Sequence, residues 1–156
     1  MPLNIAVLAV SDTRSLADDK SGTTLADRLT AAGHKLAARE IVTDDVDAIR
    51  VIIKKWIADA AVDAIITTGG TGITSRDSTY EAVDALLQKR LDGFGELFRM
   101  LSYQSIGAAA MMSRATAGVS ARHVVVALPG SEAAVRLAME KLLLPELGHL
   151  VQQIRK

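Results

Sequence analysis

The stretch that decides the fold reads Val62-Asp63-Ala64-Ile65-Ile66-Thr67-Thr68-Gly69-Gly70-Thr71-Gly72. Its first half is an apolar run typical of a buried strand, which we place at residues 62–67. Its second half has three glycines in four residues, which let the backbone take positive φ and turn its N–H groups toward an anion. The stretch therefore predicts a strand that ends in a phosphate-binding loop.

Two side chains follow this loop and narrow its chemistry. Arg76 can hold a phosphate through two hydrogen bonds, whereas the carboxylate of Asp77 repels a phosphate unless Mg²⁺ or a proton lies between them. The pair indicates metal-assisted phosphate chemistry. Two simpler interpretations stay open: the loop is only a glycine-rich turn, and Asp77 only caps the next helix.

Two nucleotide-binding motifs do not fit the glycine loop. A P-loop requires a lysine after its last glycine, and no lysine follows Gly69, Gly70 or Gly72 at such a spacing. A dinucleotide fingerprint follows the first strand, whereas this loop follows the third and has Ser75 where the last glycine would stand. The sequence thus excludes a Walker-type ATPase at this loop and disfavours a dinucleotide site.

Strand and helix patterns alternate on both sides of the loop. We predict strands at 4–10, 36–42, 62–67 and 123–128, and helices at 21–32, from 46 onward, at 78–87, at 94–112 and after 131. This alternation is typical of an α/β fold, a three-layer α/β/α sandwich with a mainly parallel central sheet. Ligands then bind at the carboxyl ends of the strands, so the glycine loop and the Pro129-Gly130-Ser131 turn should face one crevice.

Local details of these elements give further expectations. Ser78 and Glu81 have the spacing of a capping box at a helix start. Asp44-Asp45 precedes a helix, where a cap is the ordinary role. Glu96 and Arg99 lie three apart and can form a solvated pair. The histidines are scattered without metal-ligand spacing, and we expect His123 at the surface.

Composition limits the functional classes. The chain has 156 residues, which fit one domain over 1–156, with a formal net charge of +0 and 3% aromatic residues. Bulk charge therefore attracts neither nucleic acid nor a membrane surface, and few rings are present to stack on bases. With 0 cysteines, disulfides, thiolate nucleophiles and cysteine metal sites are excluded. The N-terminal apolar run is too short for a signal core, so we expect a cytoplasmic protein.

The sequence contains an ordered set of further motifs. They are Ser11-Asp12-Thr13-Arg14, Asp19-Lys20-Ser21-Gly22, Thr68-Gly69-Gly70-Thr71-Gly72 with Arg76-Asp77, Gly93-Phe94-Gly95-Glu96-Leu97-Phe98-Arg99, and Pro129-Gly130-Ser131. Together they resemble the MoaB/MogA family of molybdenum cofactor biosynthesis proteins. The resemblance runs through nearly the whole chain. The segment from Gly93 to Ser102 favours the MoaB branch.

The resemblance implies a function and its residues. Active members adenylylate molybdopterin, a pterin dithiolene with a terminal phosphate, using Mg-ATP. Asp44 and Asp77 match the family's acidic positions and would act in catalysis by organising Mg²⁺ and the attacking phosphate. The substrate-binding residues implied are Thr68, Gly69, Gly70, Thr71, Gly72, Arg76, Glu96, Arg99, Ser102, Pro129, Gly130 and Ser131. The nucleotide-binding residues implied are Ser11, Asp12, Lys20, Ser21 and Gly22.

The resemblance leaves alternatives and one departure. The family usually has Val-Thr-Pro-Glu after the Arg-Asp pair, whereas this chain has Ser78-Thr79-Tyr80-Glu81 and lacks the proline. Some MoaB-branch members are thought to bind the pterin without the reaction, so a carrier protein is the alternative to an enzyme. A domain related to competence-damage proteins is a third, more distant possibility. The family also implies a homotrimer or a homohexamer.

Overall fold

The computed structural model describes all residues from Met1 to Lys156. The strands are β1 (Asn4–Val10), β2 (Lys35–Val42), β3 (Ala64–Thr68), β4 (Lys89–Arg90), β5 (Thr116–Ser120) and β6 (His123–Leu128). The helices are α1 (Lys20–Ala31), α2 (Val46–Ile57), α3 (Thr79–Asp84), α4 (Asp92–Ile106), α5 (Glu132–Ala138) and α6 (Leu144–Ile154). A 3₁₀ helix (Gly107–Met112) follows α4, and a π-helical turn (Met139–Leu143) joins α5 to α6.

The strands form one six-stranded sheet in the order β2-β1-β3-β6-β5-β4. Strands β2, β1, β3 and β6 are parallel, whereas β5 and β4 are added to the edge in antiparallel orientation. The sheet is therefore mainly parallel, and the predicted α/β class is confirmed. The parallel order brings the carboxyl ends of β1, β3 and β6 to one edge of the sheet.

Helices cover both faces of this sheet. Alternate residues of β1 belong to two separate apolar clusters, with Ile5 and Val7 in one and Ala6 and Leu8 in the other. The first cluster includes residues of α1, α4, α5 and α6, and the second includes residues of α2 and α3. Strands that are buried on both faces read as continuous apolar runs, which is why β1, β3 and β6 are evident in the sequence.

The structure corrects several sequence predictions. The helix predicted over 94–112 ends at Ile106, because Gly107 takes a φ of 69° and the chain continues as a 3₁₀ helix. Strands β4 and β5 and helix α6 were not predicted. The prediction of a capping box at Ser78 is wrong, since the Ser78 side chain makes no capping bond to α3.

No helix is both long enough and apolar enough to cross a membrane.

The π-helical turn accounts for the packing of the last quarter of the chain. The buried residues Val135, Met139, Leu143, Leu147 and Val151 recur every four residues and all pack in the same cluster. In an α-helix a spacing of four advances about 40° beyond a full turn at each step. The wider turn offsets this drift and keeps the apolar residues of α5 and α6 on the sheet.

Candidate functional site

An open cleft of about 550 Å³ lies at the carboxyl ends of β1, β3 and β6. Its lining comes from four places in the chain: the end of β1, the glycine loop, the end of the 3₁₀ helix and the β6–α5 turn. The lining residues are Val10, Ser11, Thr13, Arg14, Gly69, Gly70, Thr71, Gly72, Asp77, Met112, Ser113, Pro129, Gly130 and Ser131. The glycine loop and the Pro129-Gly130-Ser131 turn therefore face one crevice, as predicted.

The glycine loop has a backbone that only glycine fits. Gly69 and Gly70 have φ values of 93° and 73°, in the left-handed region. A Cβ on Gly69 would overlap the carbonyl oxygen of Val10, and one on Gly70 would overlap the Thr79 hydroxyl and lie 3.0 Å from Asp44 Oδ2. The loop therefore packs in direct contact with Val10, Thr79 and Asp44.

The same loop presents amide groups without partners. The Gly69 N–H donates to the carbonyl of Leu128 at 2.9 Å and is therefore engaged. The N–H groups of Gly70, Thr71 and Gly72 donate no hydrogen bond within the chain. Consecutive free amides in a loop of this kind attract an anion. The amides that are free to bind an anion are thus those of residues 70–72, and the Gly69 amide is not among them.

Asp44 lies at the junction of β2 and α2 and is 9% exposed. Its Oδ1 accepts from the Ser78 N–H at 3.0 Å and from the Ser78 hydroxyl at 2.5 Å. The cap of α2 is Asp45, whose side chain accepts from the Ala48 N–H at 2.9 Å. The capping interpretation of Asp44 is therefore wrong, and its second oxygen stays free beside Gly70.

Asp77 lines the cleft and is held in a similar way. Its Oδ2 accepts from the N–H and the hydroxyl of Thr74, both at 2.9 Å. Helix α3 begins after Ser78, so Asp77 does not cap it and this interpretation is also wrong. Its Oδ1 accepts no hydrogen bond. Asp44 and Asp77 thus each have one carboxylate oxygen with no partner in the chain. Of the two only Asp77 lines the cleft, and Asp44 lies next to Gly70.

Arg76 is paired with a carboxylate. Its Nε and Nη2 donate to Asp12 at distances of 2.9–3.0 Å, in a two-pronged contact. The pKa of Asp12 is lowered, first by the hydrogen bond from the Asp44 N–H and then by Arg76. The guanidinium side chain remains 65% exposed. The structure places Arg76 as a link from the glycine loop to the β1–α1 segment.

The predicted nucleotide residues at the start of α1 lie behind the cleft. Ser21 is buried and its hydroxyl lies 3.4 Å from that of Thr68, at the end of β3. The Gly22 N–H donates to Asp19, which caps α1, and Lys20 is exposed. Of the predicted nucleotide residues only Ser11 lines the cleft, so contacts by the others remain predictions.

The predicted residues of α4 are not brought to the cleft. Arg99 donates to the carbonyls of Ser113 at 3.2 Å and Ala115 at 3.0 Å, and it lines a neighbouring cavity of about 420 Å³. The predicted ion pair with Glu96 is not formed, and Ser102 is buried within α4. Ser113 lines both cavities, so Arg99 lies in the cavity next to the cleft and not in the cleft itself.

The histidines take no part in the site. His123 is 5% exposed, so its predicted surface position is wrong, and its ring nitrogens lie 2.7 Å from the Ala121 carbonyl and 3.0 Å from the Asp59 carbonyl. Burial lowers the pKa of His34, whose Nδ1 accepts from the Leu3 N–H. No three histidine or acidic side chains cluster as a metal-binding group.

Sequence reasoning did not select several residues of the site. Arg14 lines the cleft, and its Nη1 lies 3.5 Å from the Gly130 carbonyl. It belongs to the Ser11-Asp12-Thr13-Arg14 motif, but it was not among the predicted binding residues. Met112 and Ser113 reach the cleft only because the chain turns from the 3₁₀ helix into β5 there. Since that strand was not predicted, no sequence signal placed this segment beside the glycine loop.

Fold and cleft together correspond to a known class of protein, the molybdopterin-binding domains. A family model described as "Probable molybdopterin binding domain" matches residues 6–149. The chain belongs to the MoaB/MogA family of molybdenum cofactor biosynthesis proteins.

Individual relatives agree with this assignment. Molybdenum cofactor biosynthesis protein B of Bacillus cereus is 51% identical over 151 residues, which cover 96% of this chain and 89% of the relative. A crystal structure of a molybdenum cofactor biosynthesis protein B superposes with a TM-score of 0.96 at 49% identity, covering 99% of this chain and 97% of the other. The tungsten cofactor synthesizing protein MoaB from Pyrococcus furiosus has a TM-score of 0.88 at 35% identity, covering 99% and 98%.

Proposed function

We propose that this chain binds molybdopterin and adenylylates it with Mg-ATP. The observation that carries the proposal is the arrangement around the glycine loop: three free amides at Gly70, Thr71 and Gly72, flanked by the unpartnered oxygens of Asp44 and Asp77. Amides bind phosphate oxygens, and carboxylates bind the cation that accompanies a nucleotide. A cleft with both suits a reaction between two phosphate groups.

The reaction balances without a protein nucleophile. An oxygen of the molybdopterin phosphate attacks the α-phosphorus of ATP and forms a new phosphorus–oxygen bond. The bond from that phosphorus to the β-bridging oxygen breaks, and pyrophosphate leaves. In such a transfer the protein contributes orientation and neutralises charge. The free amides of residues 70–72 would bind phosphate oxygens, while the Pro129-Gly130-Ser131 turn would close the pterin side of the cleft.

Asp44 and Asp77 suit a magnesium ion that is bound together with phosphate groups. Mg²⁺ bound with phosphates commonly has one or two carboxylate ligands, and its other ligands are water and phosphate oxygens. Asp44 and Asp77 each provide one free oxygen beside Gly70 and Gly72, and no third acidic or histidine ligand joins them. The ion would neutralise phosphate charge, and Asp44 and Asp77 would hold it where the substrates meet.

The test is incubation of the protein with molybdopterin and Mg-ATP, followed by chromatography for adenylyl-molybdopterin and pyrophosphate. We expect product from the natural protein, and loss of product in Asp44→Asn and Asp77→Asn. Normal product in both variants would contradict the roles given to these acids. Binding of molybdopterin without product, under conditions in which a known enzyme gives product, would show a carrier protein.

We also propose that the chain assembles as a homotrimer or a homohexamer. Leu97, Met100, Tyr103 and Ile106 of α4 are 47–63% exposed, and Met111 after it is 77% exposed. A large exposed apolar surface on one element is typical of a protein–protein interface. Light scattering with size-exclusion chromatography should give three or six copies for the natural protein. Met100→Glu should reduce this number, whereas Val51→Glu, on an exposed position of α2, should not.

A further inference from the structure

We propose that Arg114 is the positioning residue of the glycine-loop segment 71–77, and that through this segment it sets the place of Asp77. Its effect on catalysis rests on the proposed function, whereas its effect on the segment does not. Arg114 lies between the 3₁₀ helix and β5, 42 residues after Gly72 in sequence. It belongs to none of the sequence motifs that resemble the MoaB/MogA family.

The backbone of Arg114 first joins it to the loop. Its N–H donates to the carbonyl of Thr71 at 2.8 Å. The preceding residue, Ser113, lines the same cleft as the glycines. The connection therefore places the Arg114 side chain at the base of the loop and leaves the Thr71 amide free.

The guanidinium group then spans both ends of the segment. Its Nε donates to the Gly72 carbonyl at 2.9 Å, and its Nη2 lies 3.3 Å from the Asp77 carbonyl. One planar side chain thus fixes the distance between the last glycine and the acidic residue. The fork geometry of arginine suits this bridge, and the single ammonium of lysine cannot reproduce it.

Helix α3 holds the guanidinium group in turn. Glu81 accepts from Nη1 and Nη2, and this bond lowers the pKa of Glu81. The guanidinium also lies over the ring of Tyr80, 5.3 Å from its centroid, in a cation–π contact. Arg114 therefore ties the segment to α3 as well as to β5.

The segment has few other ties of this kind. Ile73 is 65% exposed, and Asp77 is otherwise bonded only to Thr74, three residues away. The two-pronged Arg76–Asp12 pair is a further tie, but both of its side chains are open to solvent, which weakens an ion pair. Local bonds preserve the shape of the turn but do not fix where it lies. A displacement of about 1 Å at a reacting group can lower a rate by about 100-fold.

The experiment compares Arg114→Gln and Arg114→Lys with the matched control Arg90→Gln. Arg90 also forms a two-pronged pair with a carboxylate of α3, donating to Asp84 at 2.6 and 2.7 Å, but it does not contact the segment. Hydrogen exchange of the amides of Ser78 and Thr79, which directly follow the segment and donate to Asp44 and Gly70, is measured in all proteins without ligand. Steady-state kinetics with molybdopterin and Mg-ATP are measured in parallel.

We expect exchange of the Ser78 and Thr79 amides to accelerate about tenfold in both Arg114 variants and to stay unchanged in Arg90→Gln. We expect kcat to fall by about 10- to 100-fold, with the KM for molybdopterin within about threefold of the natural value. Natural exchange rates in Arg114→Gln would overturn the proposal. So would full activity in Arg114→Lys, because charge alone would then suffice. If the natural protein gives no product, the proposed function fails, and the exchange rates alone decide the role of Arg114.

Discussion

The β2–α2 junction and the loop after β3 each place one carboxylate beside the glycine loop, and they hold it by different means. In both, one oxygen accepts the N–H and the hydroxyl of a single residue, Ser78 for Asp44 and Thr74 for Asp77. Ser78 is 34 residues from Asp44 in sequence, whereas Thr74 is three from Asp77. Asp44 is thus fixed by the tertiary structure, and Asp77 by a local turn that needs outside support.

This difference shows that the position of Asp44 is rigid, whereas the position of Asp77 depends on neighbouring residues. The buried Asp44 moves only if β2, α2 or α3 moves, because its partner starts α3. Asp77 keeps its bond to Thr74 even if the whole loop shifts. The bonds from Arg114 to Gly72 and Asp77 relate residues 72–77 to the start of β5, in addition to the Gly69 bond to β6 and the Arg76–Asp12 pair.

The largest expected effect is the loss of activity when either acid becomes an amide. Asparagine keeps an acceptor for Ser78 or Thr74, so the fold is retained, but the charge next to the phosphates is lost. We expect Asp44→Asn and Asp77→Asn to lower kcat by about 100-fold or more. Asp45→Asn is the control, because asparagine caps a helix as well as aspartate does. A comparable loss in Asp45→Asn would show that the effect is not specific to the cleft.

The next effect concerns the glycine that separates the two acids. Gly70→Ala places a methyl group on a residue with a φ of 73°, against Thr79 and Asp44. We expect a loss of about 2–4 kcal/mol in the free energy of unfolding, measured by urea denaturation. Gly148→Ala, inside α6 with no atom within 4 Å of the added methyl group, should instead gain about 0.5–1 kcal/mol. Equal stability of the two variants would contradict this account of the loop.

A smaller effect should separate the two supporting hydroxyls. Ser78→Ala removes a hydrogen bond to a buried carboxylate and should lower the free energy of unfolding by about 1.5–3 kcal/mol. Thr74→Ala removes a bond in an exposed turn and should change it by about 0.5 kcal/mol or less. The same urea titration measures both. A greater cost at Thr74 would reverse the contrast between tertiary and local support.

The smallest effect is the pH dependence contributed by Asp12. Its pKa is lowered in the folded protein by the Asp44 N–H and by Arg76, so its contribution to stability is complete above its ordinary pKa of about 3.9. That contribution is lost as the pH falls through the lowered folded pKa. Asp12→Asn should therefore show a flatter dependence of the urea midpoint on pH below about pH 4. An unchanged dependence of the urea midpoint on pH would mean that the pKa of Asp12 is the same in the folded and unfolded protein.

Much of the fold was accessible from the sequence because its central strands are buried on both faces. Runs such as Ile5 to Val10 and Val124 to Leu128 have no other interpretation in a chain without membrane-length segments. Strand β5 was missed because Thr116-Ala117-Gly118-Val119-Ser120 is short and weakly apolar, and its place comes from pairing with β6. The break at Gly107 was missed because alanines and methionines continue a helical pattern beyond it.

The site was accessible to the extent that it lies in local motifs. The glycine loop and the Pro129-Gly130-Ser131 turn follow strands and were found in place. The partners of the acids were not, because Ser78 was interpreted as a cap and Arg114 lies beyond an unpredicted strand. Contacts across 34 or 37 residues depend on how the sheet is ordered, which periodicity does not reveal.

The π-helical turn at Met139–Leu143 holds one residue more than an α-helical path between the same two ends would need. Removal of one residue there, such as the exposed Lys141, would therefore let α5 continue into α6 with ordinary α-helical bonding, and Leu147 and Val151 would stay on the sheet. The same deletion in a helix without such a turn would rotate every later side chain by about 100° around the helix axis. The turn thus marks a place at which the chain can lose a residue and still keep its apolar face on the sheet.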